Sequence, residues 1–245
     1  MLKNSTRQAL SALLGRGASF NADGLISFHG ADFLRDPRFL DAYKCGTARY
    51  GDEIHVEWRV RVALWAALQG MKLEGDFVEC GVNTGILTGA ILEYVNWKER
   101  RGDRTFYLLD TFEGIPIEGL GSESADAARH HNHEYRDVFE TVRRHFSGYS
   151  NVVLVRGPIP QTLSQVPSQK IAYLSIDMNV PEPEMAAGEY FWPRLAPGAC
   201  IVLDDYNYSG YLEQRHAWNA FAEHRDVDIL PLPTGQGLII KPPGQ

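Results

Sequence analysis

The chain lacks any apolar run long enough to cross a bilayer, so no membrane-spanning helix and no membrane partner are expected. It also lacks a strong apolar block at its start. The opening "MLKNSTRQALSALLGRG" carries one early basic residue and a short interrupted apolar stretch, too weak for a secretory signal, and a cytoplasmic location is expected. Cysteine is scarce: Cys45, Cys80 and Cys200 are odd in number, and two of them sit inside strand-like runs. Buried free thiols fit this better than disulfides or zinc ligands. Positive charge is short as well, with 24 Lys and Arg against 31 Asp and Glu and a net charge of −7, which disfavours a nucleic-acid partner and favours a small molecule. No internal repeat, low-complexity tract or Gly/Ser-rich linker divides the chain.

What is present is 245 residues, 44% hydrophobic and 22% charged, enough for a substantial core. From residue 75 onward short β-rich runs alternate with helical stretches, which predicts a parallel sheet covered by helices on both faces. The predicted strands are "DFVECGV" (76–82), "RTFYLLD" (104–110), "NVVLVRG" (151–157), "IAYLSID" (171–177), "ACIVLDD" (199–205) and a closing pair around "VDILPLP" and "GLIIKPP". Helices are expected over about 85–96, 134–147, 183–195 and 212–224, with Pro158, Pro160, Pro193 and Pro197 marking the connections. The closing pair lies a few residues apart around "TGQG" and reads as an antiparallel hairpin. The expected fold is therefore α/β: a Rossmann-like, doubly wound sheet of seven strands, mostly parallel, with an antiparallel last strand. Residues 1–70 lack the β-α alternation. "VEWRVRVALWAALQG" (56–70) spaces its apolar positions as a helix does, and everything before it is expected to complete an N-terminal helical cap on a domain spanning 71–245.

After the first of these strands comes "ECGVNTG", with Glu79, Gly81, Asn83 and Gly85 at alternating positions. Glycine at a strand-to-helix turn lets the backbone pass close to a ligand, and the helix that follows offers free N–H groups. Asn83 stands where a middle glycine is usual, and Asn tolerates a positive φ. The next strand ends in Asp110, where a carboxylate of a doubly wound sheet can hold a ribose diol. Together Glu79 and Asp110 suit an adenosine-containing cofactor; alternatively the glycines only permit tight packing and Asp110 only caps a loop. "GILTGA" after Gly85 lacks the Lys and Ser/Thr of an ATP-binding loop, so ATP is not expected.

The fourth strand ends in Asp177 and the fifth in Asp204 and Asp205. Adjacent carboxylates repel unless something positive lies between them. Neighbouring parallel strands bring their carboxyl ends together, where ligands of open α/β sheets bind, so three carboxylates are expected at one edge of the crevice. Oxygen-only ligands suit Mg²⁺ better than zinc. The competing reading makes Asp204 and Asp205 caps of the turn into "YNYSG".

The stretches "GDFVECGV", "YLLDTFEGIP", "VRGPIPQTL", "YLSIDMN" and "PRLAPGACIVLDDY", in that order, resemble the class I S-adenosylmethionine-dependent methyltransferases similar to macrocin O-methyltransferase. The resemblance covers about residues 55–240. It implies S-adenosylmethionine against Glu79, Gly81, Asn83, Thr84 and Gly85, with Asp110 on its ribose, Thr111 and Phe112 beside it and Gly157 closing the third strand. The adenine amine is left to backbone groups, since no acidic residue follows Arg156. It implies a divalent metal, Mg²⁺, on Asp177, Asp204 and Asp205, with Asp177 also the candidate base, and methyl transfer to a hydroxyl of a deoxysugar or small phenolic. After Asp177 the chain departs from the antibiotic-sugar members, with "MNVPEPEMAAGEYFW" in place of an acidic and tyrosine-containing stretch.

Outside these motifs, His130, His131 and His133 in "RHHNHEYRD" look like a metal cluster, but the stretch is polar and loop-like and reads better as a mobile surface segment, which can also serve as a substrate lid. His55, Trp58 and Arg59 either border the site or pack the cap; His216 approaches the substrate or is exposed; Tyr190, Phe191 and Trp192 read as core. Asn179 is read as an extra ligand or a neighbour of the ligands. A homodimer is the expected assembly. Two alternatives stay open: a metal-dependent hydrolase on the same carboxylates, which would leave Glu79 and Asp110 unexplained, and a non-catalytic cofactor-binding protein.

Overall fold

Side chains of the central strands point alternately to two cores, and this alternation builds the protein outward from one sheet. In the computed structural model, which describes residue 13 and residues 17–49, 54–133, 135–208 and 210–244, the sheet comprises β3 (Asp76–Cys80), β4 (Phe106–Asp110), β5 (Val152–Arg156), β6 (Ile171–Ile176), β7 (Leu195–Leu203), β8 (Leu230–Pro231) and β9 (Gly237–Ile240). Their spatial order is β5-β4-β3-β6-β7-β9-β8. The pairs from β5 to β7 are parallel, and β9 runs antiparallel to both β7 and β8. The expected seven-stranded sheet with its reversed last strand is present. Phe77, Phe106, Tyr173 and Val202 face one core, while Val78, Leu109, Leu174 and Ile201 face the other. Cys80 and Cys200 are buried free thiols within these strands.

Ahead of the sheet lie a hairpin, β1 (Phe20–Ala22) with β2 (Leu25–Ser27), and two helices, α1 (Pro37–Thr47) and α2 (Glu57–Gly70). Asp36 starts α1 by accepting the N–H of Arg38 at 3.0 Å, with Pro37 in the first helical position. The hairpin adds strands to a segment expected to be helical throughout. Its turn is Asp23–Gly24, both at positive φ, a pair that favours a two-residue hairpin loop.

Downstream, α3 (Ile86–Tyr94) matches the helix expected over about 85–96, and a single turn, α4 (Trp97–Arg100), follows after Asn96 at φ 53°. α1 packs closely on α3: a Cβ at Gly46 would sit 2.3 Å from the carbonyl oxygen of Ile86. α6 (Phe139–Phe146), α7 (Pro181–Phe191) and α8 (Leu212–Glu223) match the remaining expectations within a few residues. α5 (Ser122–His131) was not foreseen. Its buried positions are only Ser124, Ala125 and Ala128, so no large apolar residue marks a helical face. Among the described residues no helix is long and apolar enough to cross a membrane.

Candidate active site

The loop leaving β3 is shaped by a backbone constraint. Gly81 has φ 83°, and a Cβ there would lie 1.7 Å from the carbonyl oxygen of Asp177, so no other residue fits without moving the end of β6. Asn83 also takes a positive φ, 47°, and Gly85 opens α3 at φ 84°. Asp110 holds this loop in place. Its Oδ2 accepts the N–H groups of Val82 (2.6 Å) and Asn83 (2.7 Å), and its Oδ1 accepts that of Phe112 (2.6 Å). A carboxylate has about four acceptor positions, and backbone N–H groups of the loop and of Phe112 occupy three of those of Asp110, which clamps the loop.

A cleft enclosing about 700 Å³, its open mouth included, lies against this loop. Gly81, Asn83, Asp110, Thr111, Phe112 and Gly157 line it, as do Tyr135 and Asp177. The close backbone approach at Gly81 suits an adenosine-bearing cofactor. Glu79, Thr84 and Gly85 are not on its wall. Glu79 is buried behind the loop, where its carboxylate accepts the hydroxyl of Thr88, and burial in particular pushes its carboxyl up to about 8. Gly85 abuts Phe146.

The three aspartates converge because the ladder continues past the strands: Asp177 N–H donates to Cys80 O (2.9 Å), and Asp204 N–H to Ile176 O (3.0 Å). Each of Asp177, Asp204 and Asp205 offers a carboxylate oxygen within 4.8 Å of the others. Asp177 is half-buried; Asp204 and Asp205 are buried. Burial, followed by the charges of Asp204 and Asp205, raises the Asp177 carboxyl well above the ordinary range, and burial with the Asp204 charge raises that of Asp205.

Part of the balancing charge is Arg59. Its Nη1 donates to Asp204 Oδ2 at 2.6 Å, and its Nε and Nη2 donate to the two oxygens of Asp23, at 2.8 and 3.0 Å. Gln236 Nε2 donates to Asp204 Oδ1 at 2.8 Å, and Tyr208 donates to Asp23 at 2.9 Å. The turn of the N-terminal hairpin is thus fastened to the end of β7 through a residue of α2. Counting Asp23, four carboxyl groups share this one guanidinium, so acidic groups are in excess at the site. An all-oxygen donor set with that excess fits a divalent hard cation such as Mg²⁺.

From the sequence Arg59 is expected only to border the site or pack the cap, and Asp23 carries no sign of its partner: Asp23–Gly24 signals a turn, not an ion pair with a residue 36 positions on. The histidines do not form a metal cluster among the described residues. His130 and His133 are exposed, whereas His131, at the end of α5, stacks on Tyr211 with ring centroids 5.5 Å apart. His55 is exposed and pairs with Glu57, Trp58 packs against Phe33 and His216 is exposed. Phe191 and Trp192 are core. The stretch after Asp177 supports the site: Glu184, buried in the first turn of α7, accepts Met178 N–H (3.2 Å), Gln214 Nε2 (2.8 Å) and Trp218 Nε1 (2.8 Å).

The family model of macrocin-O-methyltransferase (TylF) matches residues 61–232. The chain belongs to the macrocin O-methyltransferase family. Among family relatives, the demethyldecarbamoylnovobiocin O-methyltransferase of Streptomyces niveus is 31% identical over 215 residues, covering 77% of this chain and 80% of the relative. The 8-demethyl-8-(2,3-dimethoxy-alpha-L-rhamnosyl)-tetracenomycin-C 4'-O-methyltransferase of Streptomyces olivaceus is 32% identical over 144 residues, 54% of this chain and 53% of the relative. The match therefore spans about half the length of that relative, and 60% of the mycinamicin III 3''-O-methyltransferase of Micromonospora griseorubida. The solved O-methyltransferase NovP has the same fold, with a TM-score of 0.67 at 22% identity over 75% of this chain and 79% of its own. Asp23 and Arg59 precede the stretch that the family model matches.

Proposed function

We propose that this protein is an O-methyltransferase acting on a hydroxyl of a small molecule, a natural-product sugar or a phenolic. S-adenosylmethionine supplies the methyl group, and Mg²⁺, when bound, supplies alignment and acidification of the acceptor hydroxyl. The observation that carries this reading is that one cleft is walled by both the Gly81–Asp110 loop and Asp177. Family membership supports methyl transfer. The relatives' names, which specify a rhamnosyl-bearing tetracenomycin and a demethyldecarbamoylnovobiocin, support a natural-product acceptor.

Within this reading Gly81, Asn83, Thr111, Phe112 and Gly157 form the cofactor face, and Asp110 both clamps the loop and offers its remaining acceptor position to the ribose. Glu79, Thr84 and Gly85 act from behind, shaping the loop. Asp177, Asp204 and Asp205 are the metal ligands. Asp177, the member of the trio on the cleft wall, also takes the acceptor proton. The segment before residue 71 is the cap, joined to the catalytic part through Asp23 and Arg59.

The test incubates the protein with methyl-labelled S-adenosylmethionine and a panel of deoxysugar-bearing and phenolic acceptors, with Mg²⁺ or with EDTA. Labelled product that disappears in EDTA, returns with Mg²⁺ and is absent for Asp205→Asn is expected. Transfer that ignores EDTA removes the metal from the reading; absence of any cofactor binding removes the reading itself.

A further inference from the structure

Asn179 sits between two of the carboxylates. Its Nδ2 donates to Asp177 Oδ1 at 3.0 Å and to Asp205 Oδ2 at 2.8 Å, so both amide hydrogens are committed, one to each aspartate. Its Oδ1 accepts the hydroxyl of Tyr135 at 2.7 Å. In this orientation both amide hydrogens find carboxylate acceptors and the amide oxygen accepts the tyrosine hydroxyl, so every polar atom of the side chain has a partner. Asn179 is buried and has φ 63°, a left-handed conformation uncommon for a residue with a side chain. That conformation turns the side chain back toward Asp177, two residues earlier.

We infer that Asn179 is a positioning residue that holds Asp177 and Asp205 as one convergent pair, and that Tyr135 sets it from the cleft wall. The half-buried carboxylate of Asp177 and the buried one of Asp205 repel without a donor between them. A single amide bridging both holds them side by side, within the trio whose carboxylate oxygens lie within 4.8 Å of one another. Tyr135 lines the cleft, so the contact joins the cleft wall to the geometry of the carboxylates. The inference rests on the divalent-metal reading above.

The test measures Mn²⁺ binding by electron paramagnetic resonance and calorimetry, without cofactor or acceptor, on wild-type protein, Asn179→Gly and Tyr135→Phe. Glycine accepts the left-handed backbone, so the first variant removes only the amide. Its Mn²⁺ affinity is expected to fall by about tenfold or more, as for other groups that orient metal ligands. Tyr135→Phe is expected to lose about threefold, in line with one neutral hydrogen bond. If wild-type protein binds Mn²⁺ and both variants bind it equally well, the positioning role is overturned while the metal reading stands. If wild-type protein binds no Mn²⁺, both are overturned. Should Asn179→Gly not fold, Tyr135→Phe decides: unchanged affinity overturns the inference and weakened affinity supports it.

Discussion

Arg59 is the residue on which the charge balance of the site turns. Its guanidinium is shared by Asp23 and Asp204, whose side chains are only 15% and 5% exposed. Removing one partner of a largely buried pair leaves uncompensated charge, so Arg59→Ala is expected to cost about 3 kcal/mol in urea unfolding. A loss within 0.5 kcal/mol of zero, on the order of a surface substitution, would show that the bridge is not formed. A second residue-level outcome concerns Glu79. Its carboxyl is raised from 4.5 to about 8, mainly by burial. Between those values the folded chain holds a proton that the unfolded chain has released, so the contribution of Glu79 makes stability fall as pH rises through that window. Glu79→Gln removes this contribution, and the unfolding free energies of variant and wild type should differ in slope by up to about 1.4 kcal/mol per pH unit. Parallel curves would contradict a buried, proton-retaining Glu79. The acidic residues were legible in the sequence because strand ends announce them. Arg59 was not, since its partners lie 36 and 145 positions away and no local pattern links them.

The elements that position the site were legible to different degrees. β3, β4, β6 and β7 showed as short apolar runs, and their shared direction was enough to bring Asp110, Asp177, Asp204 and Asp205 to one edge of the sheet. α5 escaped notice because its buried face consists of serine and alanine, and the N-terminal hairpin because its strands are three residues each. The loop after β3 depends on contact as well as pattern. Gly81→Ala would place a methyl group against the carbonyl of Asp177 at an unfavourable φ. The expected outcome is a loss of about 3 kcal/mol together with loss of S-adenosylmethionine binding, measured by chemical denaturation and titration. Wild-type binding by this variant would mean that the loop and the end of β6 are not locked together.

Across the whole molecule, the site gathers parts from distant regions of the chain: a hairpin turn at Asp23, helix α2 at Arg59, the β3 loop, and the ends of β6 and β7. Ligands that bind only this assembled form stabilise it by mass action. Mg²⁺ at about 100 times its dissociation constant should add about 2.7 kcal/mol and raise the melting temperature, and Asp205→Asn should abolish the rise. Equal shifts in both proteins would place the ion elsewhere. The most direct measurement is calorimetric titration of S-adenosylmethionine into the wild-type protein and into Asp110→Ala. One cofactor per chain is expected to bind wild type, with binding lost or greatly weakened in the variant, whose β3 loop has no clamp. No binding to wild-type protein, with or without Mg²⁺, would contradict the assignment of the cleft.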